Sequence, residues 1–119
     1  MAVRNPSPHD VDRLRCEDIV REVDSIPDRI AALQDLKQGQ TFDKERAENT
    51  LVGLRVQIAN RPDDTALRAR IERAKSKKRR AEQILERLAQ QEQELVQDRK
   101  THLSEFDRAL CSRVVPRPI

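Results

Sequence analysis

Cys16, Ile19, Val23, Ile26, Ile30 and Leu33 follow one another at alternating steps of three and four residues. That alternation keeps an apolar stripe on one side of a helix at coiled-coil spacing. It predicts a first helix over about 10–38, opened by Asp10 as N-cap behind Pro6 and Pro8 and closed at Gly39. Pro27 lies inside the run and has no N–H for the Val23 carbonyl. A kink is expected there, with Ser25 as a local cap and the apolar phase continuing beyond it.

Thr41 then reads as the N-cap of a second helix over about 42–60. Ala47, Leu51, Leu54 and Ile58 share one face, and Val52, Val56 and Ala59 lie about 100° or more round the helix. Two apolar faces predict a helix between two neighbours. In "NRPDD", Pro62 suits a first helical turn, and Asp63 and Asp64 suit the positive end of the helix dipole. A third helix is expected over about 63–111, stopped by "SRVVPRPI". Its first half has a heptad seam at Leu67, Ile71, Ala74, Lys78, Ala81, Leu85 and Leu88. Strict heptads would next bring Glu92, Arg99 and His102 inward, whereas the apolar residues drift to Leu95, Val96, Leu103, Phe106 and Leu110. Such drift suits a straighter helix of period near 3.6.

Short connections make neighbouring helices antiparallel. The expected fold is therefore all-α: an elongated three-helix antiparallel hairpin or coiled-coil arrangement with a long overhanging C-terminal helix. Pro-containing extended tails flank it at 1–9 and 112–119. The second helix would reach along only about 27 Å of a third helix about 70 Å long. In that arrangement Leu85, Leu88, Leu95, Val96, Leu103, Phe106 and Leu110 have no partner in the chain. They are expected to meet a second copy or another protein subunit, with Val114, Val115 and Ile119 as tail anchors.

Composition supports helix: charged residues are 38% of the 119, aromatics 2%, and only two are Gly. No apolar run approaches the ~18 residues of a membrane span, and "MAVRNPSPHD" lacks the apolar stretch of a classical signal peptide. Two cysteines do not make a disulfide framework. The expected setting is intracellular, or within a cytoplasmically assembled particle, with Cys16 and Cys111 unpaired toward opposite ends of the fold.

Charge is uneven. Arg68–Arg80, which contains "KSKKRR", holds eight bases against Glu72, a net +7, while residues 10–45 hold ten acids against six bases, −4. Complementarity between neighbouring helices explains much of this. The bases from Lys75 to Arg80 point all round a helix, which disfavours groove reading but leaves Lys75, Lys77, Arg79 and Arg80 as phosphate-contact candidates. Without aromatics there, bases have nothing to stack on. "KKRR" also meets the minimal nuclear-localisation pattern, and Lys78 occupies a seam position where a polar residue can set register.

His9, Cys16, His102 and Cys111 are not at zinc spacing, and the chain holds no phosphate loop, nucleophile elbow or CxxC motif. No cofactor, membrane or small-molecule substrate is expected, and catalysis is improbable. The leading expectation is a non-enzymatic structural or assembly subunit, or an adaptor, of a larger complex. It would be a homo-oligomer or bind other subunits, as in virion or secretion-type assemblies. The alternatives are a nucleic-acid-associated accessory protein using residues 68–80 and a helical chaperone for a partner's amphipathic segment.

Overall fold

The computed structural model describes residues 12–119, so the expected tail at 1–9 and the Asp10 cap lie outside the described residues. Helix α1 spans Arg13–Asn60, helix α2 spans Thr65–Arg108, and a 3₁₀ turn covers Cys111–Arg113. The two long helices form a hairpin, and among the described residues all regular structure is helical. One helix thus stands where two were expected, and the three-helix arrangement gives way to a helix pair.

Asp12 caps α1: its carboxylate accepts the Arg15 N–H at 3.2 Å and its carbonyl accepts the Cys16 N–H at 3.0 Å. Pro27 lies within the helix, while Val23 and Ile26 beside it are 2% and 1% exposed. One lost backbone bond is offset by the packing of these two residues in the turn before it. Ser25 donates its hydroxyl to the Glu22 carbonyl at 2.7 Å instead of restarting a helix.

Gly39 does not end the helix either, and no glycine has a positive φ. Thr41 is not a cap; its Oγ1 donates to the Lys37 carbonyl one turn back, at 2.9 Å. A helical glycine costs about 1 kcal/mol relative to alanine, too little to stop a helix whose seam continues. That seam does continue. Leu33 and Ala47 are two heptads apart, and the seam positions between them are the half-buried Lys37, Gln40 and Lys44.

The drift expected in α2 is seen only in part. Leu88, Leu95 and Phe106 are buried, and Glu92, Arg99 and His102 are half-buried at the heptad positions between them. Long polar side chains can lie along a seam with their heads in water, so heptads survive polar residues. Leu103 is buried beside them, whereas Val96 and Leu110 are exposed.

Contacts divide the chain into two compact units. In Ala32–Gln91 the core is Leu51, Leu54, Leu67 and Ala74, flanked by Ile58 and Ile71. Its turn is closed by the Asp64 N–H donating to the Arg61 carbonyl at 3.1 Å, so Pro62 lies in the turn rather than in the first turn of α2. Asp64 is the cap: its carboxylate accepts the Leu67 N–H at 3.1 Å.

The other unit joins the described residues up to Ala31 with Glu92–Ile119. Its core is Cys16, Ile19, Val23, Leu103, Phe106 and Cys111, with Val20, Ala109, Val114 and Val115 packed against it. Cys16 and Cys111 form a disulfide, contrary to the expected unpaired thiols. The reason is the continuity of α1, which brings its first turn against the end of α2. Paired cysteines give no support to a reducing compartment. Arg15 pairs with Glu105 across the same two helices, with Nε–Oε1 at 3.1 Å. The C-terminal segment is fastened as well: Arg117 donates Nε and Nη2 to the two Asp107 carboxylate oxygens at 3.1 and 3.2 Å, and Arg13 reaches the Val114 carbonyl at 3.4 Å. No helix among the described residues is long and apolar enough to cross a membrane.

Candidate functional site

Within Ala32–Gln91, three seam residues that are buried are also small: Ala47, Ala74 and Ala81. Small side chains leave unfilled space above the line where two helices meet. Here they floor, with Leu54 and Ile84, an open groove of about 780 Å³ between α1 and α2. Gln40, Asp43, Arg46 and Thr50 form the α1 wall. Arg70, Arg73, Lys77 and Arg80 form the α2 wall.

The four α2 cations follow at steps of three, four and three, the spacing that puts side chains in one row on a helix. All four are exposed, and none is in an ion pair among the described residues. Their neighbours are engaged elsewhere. Lys75 reaches Glu72 at 3.3 Å, Lys78 reaches Glu48 at 3.8 Å and Glu82 at 4.0 Å. Arg46 sits 5.0 Å over the Phe42 ring. Asp43 is the one acid among the lining residues against five cations. The whole unit has 14 Lys and Arg against nine Asp and Glu. The potential in the groove is therefore positive, over a floor that is apolar.

Of the phosphate-contact candidates, Lys77 and Arg80 line the groove, while Lys75 is turned to Glu72 and Arg79 does not line it. Arg70 and Arg73 complete the row but fall outside "KSKKRR". Their signal was the three-four-three spacing, which counting contiguous bases conceals.

The interface candidates are scattered. Leu88, Leu95, Leu103 and Phe106 are buried within the chain, so the stripe expected to overhang has its partner in α1. Leu85, Val114 and Val115 are half-buried, the last two against the disulfide cluster. Val96, Leu110 and Ile119 remain exposed. A smaller cleft of about 390 Å³ lies between Val20 and the C-terminal Val115 and Pro116. Among the described residues no group of three or more His, Cys, Asp or Glu is placed to hold a metal ion. No protein-family model, curated protein or solved structure matches the chain.

Proposed function

We propose that the chain is a non-enzymatic adaptor or assembly subunit that docks another protein in the basic groove of Ala32–Gln91. One observation carries this reading: a row of four cations without an ion-pair partner among the described residues, Arg70, Arg73, Lys77 and Arg80, above an apolar floor. Apolar floor area favours association, and the charged rim selects the partner and speeds its encounter. Self-association through Leu85–Leu110 is less favoured, because Leu88, Leu95, Leu103 and Phe106 are already buried, leaving Val96 and Leu110 as the exposed apolar residues of that stripe. The native mass of the protein taken from its source tests the reading. The expected result is a complex of defined stoichiometry well above 13.8 kDa, reduced to the single chain by the double substitution Arg73→Glu/Lys77→Glu. A single chain in both cases overturns it.

The same row favours a second reading, a phosphate-tracking accessory protein for nucleic acid. Arg70 to Arg80 covers about 15 Å of helix, enough to meet two or three successive phosphates. That reading leaves the apolar floor without a role. An affinity that falls steeply with added salt and disappears in the Arg73→Glu/Lys77→Glu variant would favour it.

A further inference from the structure

We infer that the occupant of the groove is an amphipathic α-helix from a partner protein, with apolar residues such as Leu and Ala on one face and carboxylates along its edges. It lies along α1 and α2 as a third helix. The inference rests on the docking reading above and specifies the partner's chemistry. Three features converge on it.

The first is charge. Arg70, Arg73, Lys77 and Arg80 repeat at helical spacing, so a helix beside them meets each cation with an acid of its own at three- and four-residue steps. The second is the floor. Ala47, Ala74 and Ala81 are small, apolar and buried, so they leave room above them for interdigitating side chains and offer no hydrogen-bond donor to a phosphate chain.

The third is glycine. The chain has two, Gly39 and Gly53, both inside α1 and neither at positive φ. A Cβ added at either would meet nothing within 4 Å. Each weakens the helix by about 1 kcal/mol relative to alanine, and no contact inside the chain requires it. They stand seven residues to either side of Arg46, in one row with that groove-lining residue. A missing side chain at those two points lowers the α1 rim and lets a second backbone come close.

The test uses the full-length, disulfide-bonded protein and a labelled three-heptad peptide, with Leu and Ala on one face and Glu on both edges. Fluorescence anisotropy compares it with a scrambled peptide of the same composition, a version with Lys at the edges, and single-stranded oligo-dT. The acidic amphipathic peptide is expected to bind at least about tenfold more tightly than each of the three, with an affinity that weakens as salt is added. Arg73→Glu/Lys77→Glu should reverse the preference toward the Lys-edged peptide. Gly53→Leu supplies the control for folding: the added Cβ meets nothing within 4 Å, so the thermal transition should be retained while peptide affinity falls about tenfold.

Equal binding of the scrambled peptide, tighter binding of oligo-dT, or undiminished binding by Gly53→Leu each overturns the inference. So does a dimer of the chain alone from which the peptide cannot displace one copy. If the peptide fails while the native complex still dissociates on Arg73→Glu/Lys77→Glu, the docking reading stands and the helical occupant falls.

Discussion

Cys16 and Cys111 are bonded across 95 residues of chain, with their Cα atoms 5.4 Å apart. Both are fully buried beside Phe106. A cross-link closing so long a loop removes much of the freedom of the unfolded chain, and its loss costs about 2–5 kcal/mol. Guanidinium unfolding with and without reductant should show a fall of that size, and Cys16→Ala/Cys111→Ala should unfold identically in both conditions. Two reactive thiols in the oxidised, denatured protein would refute the pairing.

Asp107 and Arg117 hold the C-terminal segment to α2 in an exposed pair. The hydrogen bond from Arg117 lowers the Asp107 pKa, desolvation opposes that shift, and the charge of Arg117 adds to it. A lowered carboxyl pKa means the fastening is complete above the unfolded value of about 3.9 and is lost as pH falls through the folded one. The Val114 and Val115 methyl resonances should therefore hold steady on acidification past that value and move only below it. In Arg117→Gln the midpoint should return to the ordinary aspartate range.

Leu110 has φ 57°, the left-handed conformation that ends α2 and turns Cys111 inward. A non-glycine residue there carries about 1–2 kcal/mol of strain. Leu110→Gly relieves it, partly offset by the greater freedom of glycine in the unfolded chain. The expected net effect is a rise of a few degrees in Tm, whereas Leu110→Val, branched at Cβ, should lower it.

Gly39 separates the two descriptions of α1 by sign. Inside a continuous helix, Gly39→Ala stabilises by about 1 kcal/mol, because the added methyl meets nothing and the helix gains propensity. At a left-handed helix terminus the same substitution would destabilise. Thermal or denaturant unfolding of the variant decides between them.

That position also shows how far the fold was legible. The all-helical class, the turn near Pro62 and the seam residues Cys16 to Ile26 and Leu67 to Ala81 could be read from spacing alone. The continuity of α1 was equally present, since steps of three and four run without a break from Cys16 to Ile58. It was obscured because Lys37, Gln40 and Lys44 hold three of those positions, and a seam traced through apolar residues alone stops at Leu33. From that break followed the short second helix, the supposed overhang and the separation of the two cysteines. The groove suffered a similar fate. Its cations lie at helical spacing, but which flank of α2 faces α1 depends on the pairing of the helices, and that requires the whole seam.

Lys78 is the seam residue in α2 at which the basic segment meets the hairpin core. It lies between the buried Ala74 and Ala81, with 37% of its side chain exposed and its ammonium 3.8 Å from Glu48 on α1. A pair this exposed contributes about 0–1 kcal/mol, while burying a leucine at the same position contributes about 1.5–3 kcal/mol if fully enclosed. The second effect outweighs the first, so Lys78→Leu should stabilise the chain by about 1 kcal/mol. What the lysine supplies instead is a contact with Glu48 on α1 that only this register of the two helices allows. A double-mutant cycle with Glu48→Gln should give a coupling below about 1 kcal/mol. A Lys78→Leu variant less stable than the parent would mean that the ion pair, rather than the apolar seam, holds this level of the hairpin.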